Sequence, residues 1–246
     1  MTVKTGKETA FVTGAAQGIG RASARRLGQD GFRVIAMDRN AAAVRATAAA
    51  LAGEGLEVVA GVADVCDRAT VAAVLGAEAR VDVMVCAAGI YGDAKFLELD
   101  EESFRRVLDV NVVGTFIPAQ EAARRMGAGG RIVTISSRGA LGGTRFAHYV
   151  ASKSAVIGLT RAMAMELRAA RIAVNSVAPG FTDTPMTRSA PPEMFAAWEA
   201  LEPEGRAADP AEIAHAVAFL AAPGTRFITG QTLFVDGGKS LGGLSI

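Results

Sequence analysis

The 246-residue sequence predicts an α/β protein built on a doubly wound, mostly parallel seven-stranded sheet with helices on both faces. Three observations carry this expectation. Short apolar runs alternate with helical segments from end to end. Those runs read as continuous rather than alternating hydrophobics, the mark of strands covered on both faces. No linker, repeat or low-complexity tract divides the chain, so a single domain over residues 1–246 is expected.

The elements follow in order. Thr9–Thr13 is a β-type run, followed by a glycine-rich turn and an Arg/Ala-rich helical stretch from Ile19 to Asp30. Phe32–Met37 is the second strand and Ala41–Leu51 the second helix. Leu56–Val62 is the third strand, before a helix over Asp67–Ala79. Val81–Val85 is the fourth strand, and helices follow over Glu101–Leu108 and Asn111–Met126. Arg131–Ile135, the long helix Tyr149–Ala169 and the strand Ile172–Val177 continue the alternation. A helix over Ala211–Leu220 and the strand Thr232–Val235 close it. Right-handed crossovers then wind the helices over both faces. The irregular stretch 182–209, with Pro185, Pro191, Pro192 and Pro203, reads as a substrate loop. Within it Glu193–Leu201 has a helical stripe.

Composition narrows the function classes. With 26 Lys+Arg against 25 Asp+Glu the net charge is +1, which argues against a nucleic-acid binder. Half the residues are hydrophobic, enough for a core without metals or disulfides. Two cysteines, Cys66 and Cys86, and two histidines, His148 and His215, lack metal-ligand spacing, so no metal is expected. Met1–Ala10 has no apolar core of a secretory signal, and no apolar run is long enough to cross a bilayer. A small-molecule partner and a cytoplasmic setting are expected, with no membrane.

The first strand-to-helix turn reads Thr13-Gly14-Ala15-Ala16-Gln17-Gly18-Ile19-Gly20. Glycines there let the backbone turn sharply and approach a pyrophosphate, whose charge meets the N-terminus of the next helix. The bare triplet is weak evidence, but its place between a strand and a helix strengthens it. Asp38, at the end of the second strand, can accept both ribose hydroxyls of an adenosine and repels a 2′-phosphate. Arg39 beside it can hold such a phosphate, yet with Asp38 at the ribose the expected cofactor is NAD in preference to NADP. The competing role for Asp38 is as a cap of the helix starting near Asn40. Asp64-Val65, after the third strand, has the place and type to meet an adenine edge and face, or to form a solvated turn.

His148-Tyr149-Val150-Ala151-Ser152-Lys153 places Tyr149 and Lys153 on one helix face, one turn apart. An ammonium there lowers the phenol pKa from its usual value near 10 and makes a usable base. Alone, the pair reads as an ordinary amphipathic helix. Around it stand Ser136-Ser137 at the end of the fifth strand, Asn111, and Pro179-Gly180 with Thr182 and Thr184 after the sixth.

Taken together the sequence resembles a short-chain dehydrogenase/reductase of the compact Rossmann-fold kind. The match spans Thr13–Gly20, Asp38, Asp64-Val65, Asn111, Ser136/Ser137, Tyr149, Lys153, Pro179-Gly180 and Asp236-Gly237-Gly238. The resemblance implies a catalytic set of Asn111, Ser137, Tyr149 and Lys153. Tyr149 would be general acid/base, and Lys153 would lower its pKa and hold the nicotinamide ribose. The serine would polarise the substrate oxygen, and Asn111 would anchor through its backbone a water that passes protons to Lys153. Gly14, Gln17, Gly18, Ile19, Gly20, Asp38, Arg39, Asp64, Val65, Ala87 and Gly89 would hold the dinucleotide, with Tyr149, Lys153, Pro179, Gly180, Thr182 and Thr184. Hydride would pass between the substrate carbon and the nicotinamide.

Three departures stand out. Ser137 lies one residue closer to Tyr149 than relatives usually show, whereas Ser136 has the usual count. Ser137 has the usual place at the strand end and is preferred. Cys86-Ala87-Ala88-Gly89 replaces an Asn-Asn-Ala-Gly segment. Arg138 and His148 flank the catalytic residues, where they would bind an acidic substrate group or take solvated or helix-capping roles. Tyr91, Gly92, Gly139–Phe146, Phe181, Met186, Met194, Phe195 and Trp198 are candidate substrate contacts, which makes a secondary alcohol or ketone on an apolar or ring-bearing molecule the expected substrate. Relatives commonly form tetramers through the two long helices, so a homotetramer is expected. The rival readings are an NADPH-linked 3-oxoacyl-carrier-protein reductase and a non-catalytic dinucleotide sensor. The first would favour a basic residue at Ala15 or Ala16 and a neutral one at Asp38; the second would not need Tyr149 with Lys153.

Overall fold

The computed structural model describes residues 6–242; the first five residues and the last four lie outside it. Seven parallel strands form one sheet in the order β3-β2-β1-β4-β5-β6-β7. They are β1 Thr9–Thr13, β2 Arg33–Asp38, β3 Val58–Val62, β4 Val81–Cys86, β5 Met126–Ile135, β6 Ala173–Pro179 and β7 Thr232–Val235. The chain starts in the middle and winds outward both ways, so loops after β1 and β4 diverge and leave a crevice at the strands' carboxyl ends.

Side chains alternate across each strand, which splits the core in two. Ala10 and Val12 of β1 face α1 Gly18–Gln29, α2 Ala41–Gly53 and α9 Pro210–Ala221, through Leu27, Leu51 and Ile213. Phe11 faces the opposite layer, where α3 Arg68–Gly76, α5 Gly114–Ala123 and α6 Ala147–Leu167 supply Leu75, Ile117 and Ala164. The short α4 Glu101–Leu108 packs on α6. Its N-cap is Asp100, whose carboxylate accepts from Ser103 N–H at 2.7 Å.

Several expected boundaries move. β3 begins at Val58, because Gly55 turns with φ +84° and Leu56 folds back on α1. The helix expected over Asn111–Met126 is shorter. Residues Asp109–Val113 form one wide π-turn between α4 and α5, and Met126 already belongs to β5. Met126 pairs with Val81 and Arg131 with Val83, so 127–130 bulge out. Gly127, Gly129 and Gly130 disguise this strand start, since glycine lacks a strand-like side chain. The stretch 182–209 is not irregular throughout. It holds α7 Pro185–Arg188 and α8 Pro192–Glu199, and Thr182 bridges to Ala208. No helix among the described residues is long and apolar enough to cross a membrane.

Candidate active site

A cavity of about 1010 Å³ opens along the carboxyl ends of the strands. Gly14, Gln17, Gly18, Ile19, Gly20, Asp38, Arg39, Asp64, Val65, Ala87, Gly89, Pro179, Gly180, Thr182 and Thr184 all line it, as do Ser137, Tyr149 and Lys153. Asn111 is fully buried behind that lining.

The turn after β1 is shaped by close backbone approach. A Cβ on Gly20 would lie 2.2 Å from the Gly14 carbonyl oxygen, and one on Gly14 would lie 2.8 Å from Ala88 Cα. Gly14 and Gly18 take φ of +66° and +54°, where side chains are strained. Gln17, the N-cap of α1, makes no side-chain capping bond, so the first-turn N–H groups stay available to an anion at the cavity wall. Asp38 accepts from Asn40 N–H at 2.9 Å and more weakly from Ala16 N–H at 3.4 Å. The cap of α2 is Asn40 itself, through Ala43 N–H. Asp64 accepts from Cys66 N–H, so it forms a turn while still lining the cavity. A narrow glycine cradle, an uncapped helix start and an acid at the next strand end fit a dinucleotide's pyrophosphate and ribose.

Thr13 covers the Cys86-Ala87-Ala88 departure. Its Oγ1 accepts from Ala87 N–H at 3.0 Å and Ala88 N–H at 3.2 Å. Cys86 is buried and its thiol is pushed up to about 12 by the apolar surroundings. Gly180 packs so tightly on the chain turn at Asp236 that a Cβ would lie 2.9 Å from Asp236 Cα.

At the other end of the cavity α6 presents Tyr149 and Lys153. Lys153 Nζ donates to the Ile135 carbonyl at 2.9 Å and lies 5.6 Å from the Tyr149 ring centroid. Burial holds the ammonium down at about 8. Burial also raises the Tyr149 phenol, opposed by the neighbouring Ser137 hydroxyl. The two serines part company here. Ser136 is buried and donates to the Lys153 carbonyl at 2.8 Å; Ser137 lines the cavity beside the phenol.

Tyr91 and Phe146 form an aromatic wall around Tyr149, with ring centroids 5.3 and 6.2 Å from it. Phe181, Met186, Met194 and Trp198 continue the lining. Of the expected stretch Gly139–Phe146, Ala140, Leu141, Gly142 and Arg145 do not line the cavity, and two further expected contacts fall elsewhere. Phe195 is buried, stacked 4.9 Å from Phe181, and anchors α8. His148 is buried beneath Gly92, where a Cβ would lie 2.5 Å from its Nε2. Sequence reasoning missed Glu202 and Lys239, which line the cavity and pair at 2.6 Å. A pair 37 residues apart leaves no local signal.

Residues 14–240 match a family model described as enoyl-(acyl carrier protein) reductase. The cis-4-hydroxycyclohexanecarboxylate dehydrogenase of Sinomonas cyclohexanicum is 40% identical over 240 residues, 94% of this chain and 96% of that protein. Among solved structures, a point mutant of actinorhodin polyketide ketoreductase with NADPH superposes with a TM-score of 0.89 at 37% identity, covering 95% and 97% of the two chains. A Serratia marcescens short-chain dehydrogenase/reductase, solved as a double mutant, gives 0.88 at 38% identity and covers 95% and 98%. Model, sequences and structures agree: the chain belongs to the short-chain dehydrogenase/reductase family, a family of oxidoreductases that bind a nicotinamide dinucleotide.

Proposed function

We propose that this protein interconverts a secondary alcohol and a ketone with NAD, with Tyr149 as general acid/base. The observation that carries the reading is Tyr149 flanked by Ser137 and Lys153 at one end of a cavity whose other end is a glycine cradle. Bound nicotinamide dinucleotide supplies the chemistry of hydride exchange with the substrate carbon. Tyr149 gives a proton to the carbonyl oxygen in reduction and takes one from the hydroxyl in oxidation. Lys153, as a cation, favours the phenolate and holds ribose hydroxyls. The Ser137 hydroxyl holds and polarises the substrate oxygen. Asn111 acts from behind the site, through the loop after β4.

Asp38 supports NAD, because its carboxylate lines the cavity where a 2′-phosphate would sit and no basic residue stands at Ala15 or Ala16. Oxidation is then the working direction. The aromatic and methionine lining supports an apolar, ring-bearing substrate, and the Sinomonas relative acts on a ring alcohol by its name. We extend the reading to a cytoplasmic homotetramer joined through α5 and α6, which leave Phe116 and Met165 exposed. Sedimentation as a monomer would refute that assembly.

The test is nicotinamide absorbance with NAD and NADP against secondary alcohols, cyclic diols, hydroxysteroids and hydroxyacyl thioesters, then ketones in reverse. NAD-linked turnover that vanishes in Tyr149→Phe is expected. Turnover with NADPH and an acyl thioester alone would move the protein to the carrier-protein reductase reading. NAD binding without any turnover, and a biological role that survives Tyr149→Phe, would favour a sensor.

A further inference from the structure

We propose that Arg138 anchors a carboxylate of the substrate, so that the molecule turned over is a hydroxy acid and not a neutral alcohol. The inference rests on the reading of the site given above and deepens it.

Arg138 directly follows Ser137 and opens a tight 3-10 turn over Arg138–Leu141. That turn is fixed at both ends. Ser137 Oγ accepts from Gly139 N–H at 2.9 Å, and Ser154 Oγ on α6 donates to the Ala140 carbonyl at 2.8 Å. The residue is half-buried and lines the cavity. Its guanidinium makes no hydrogen bond or ion pair with any described residue.

The other charges near this end are already engaged. Asp93 and Arg145 pair across the rim at 2.8 Å. Glu202 and Lys239 pair at 2.6 Å. Lys153 has no counter-ion among the described residues, but its ammonium donates to the Ile135 carbonyl and faces the Tyr149 phenol. Arg39 also lines the cavity and has no partner among the described residues, but it follows β2, three places along the sheet from β5. Besides Lys153, which serves the phenol, the substrate end therefore carries one positive charge without a partner among the described residues, beside an aromatic wall. A partly desolvated guanidinium has five donors to satisfy and a planar fork that suits a carboxylate. A guanidinium with no acidic partner among the described residues suits one carboxylate. With Ser137 and Arg138 adjacent, the ligand carries its carbinol carbon and its carboxylate on one apolar framework, separated by about the reach of one arginine side chain.

Two arms test this. In the first, 2-, 3- and 4-hydroxycyclohexanecarboxylates are compared with their methyl esters by NAD reduction, in wild type and in Arg138→Gln and Arg138→Lys. Wild type is expected to favour an acid over its ester by roughly tenfold or more in kcat/KM. Arg138→Gln is expected to lower the acid by roughly thirtyfold or more while leaving the ester within about threefold. Arg138→Lys is expected to fall between. Equal turnover of acids and esters in wild type, or an equal loss of both in Arg138→Gln, overturns the proposal.

The second arm needs no turnover. Calorimetry with the protein and NAD measures cyclohexanecarboxylate, which has no carbinol, against cyclohexanecarboxamide. Binding of the acid alone, lost in Arg138→Gln, supports the proposal; no preference for the acid overturns it. Tyr149→Phe separates the two ideas. If it leaves turnover intact, the general acid/base reading fails while acid binding still decides the role of Arg138.

Discussion

The Asn111 carboxamide grips the backbone of one residue, Ile90, at both of its polar groups. Its Oδ1 accepts from Ile90 N–H at 2.8 Å and its Nδ2 donates to the Ile90 carbonyl at 3.0 Å, with a further bond to Ser152 Oγ at 3.0 Å. The wide turn over 109–113 lets Thr115 Oγ1 donate to the Asn111 carbonyl at 2.7 Å. Asn111 thereby fixes the loop that carries Tyr91 to the helix that carries Tyr149 and Lys153. Asn111→Ala is expected to cost about 2 kcal/mol of stability, because the Ile90 groups lose buried partners. Hydrogen exchange should rise across residues 87–92, and kcat should fall more than KM rises. Unchanged exchange there would remove this positioning role.

Lys153 trades stability for chemistry. Its folded pKa of about 8 lies below the ordinary lysine value of 10.5, so between those values the unfolded chain binds more protons. Stability therefore rises with pH across that window, and the penalty is fully present below about pH 8. The gap corresponds to at most about 3 kcal/mol. Lys153→Met is expected to be inactive yet to melt higher than wild type at pH 7, with the difference shrinking by pH 10. Part of the gain is offset because the Ile135 carbonyl loses its donor. A melting temperature lowered at pH 7 would contradict this.

The serines separate by pH profile. Burial raises the Tyr149 phenol and the Ser137 hydroxyl lowers it, so Ser137→Ala should move the phenol further up. If Tyr149 is the general base of the proposed alcohol oxidation, kcat/KM should rise with pH and rise later in Ser137→Ala. Ser136→Ala removes a bond to the Lys153 carbonyl and is expected to lower stability by about 1 kcal/mol without moving that profile. A shifted profile in Ser136→Ala alone would reverse the assignment.

Asp38→Ala tests the cofactor. On the proposed reading, removing the carboxylate deletes a ribose acceptor and the repulsion of a 2′-phosphate, and it leaves Arg39 in the cavity lining. Binding of NAD should weaken by roughly tenfold and that of NADP should strengthen. An unchanged ratio of the two affinities, read by fluorescence titration, would sink the argument for NAD.

Gly20→Ala asks whether the cradle tolerates any side chain. Its Cβ would lie 2.2 Å from the Gly14 oxygen, so the turn must open. Thermal shifts on adding NAD should disappear while the circular dichroism of the sheet and helices persists.

Much of this protein was legible in its sequence. The alternation of strands and helices, the glycine turn, Asp38 and the Tyr149–Lys153 spacing are local patterns, because backbone approach and helical periodicity act within a few residues. The residues expected to hold the dinucleotide gather in one cavity for that reason. Tertiary structure decided what depends on distant partners. It turned Ser136 into the core and Ser137 toward the phenol, buried His148 and Phe195, and left Arg138 without a partner among the described residues. It also joined Glu202 to Lys239 and set Asn111 in a π-turn that no periodicity announces. Local sequence sets which backbone shapes are available; which polar groups find partners, and so which remain free for a substrate, is settled only when separate strands and helices meet.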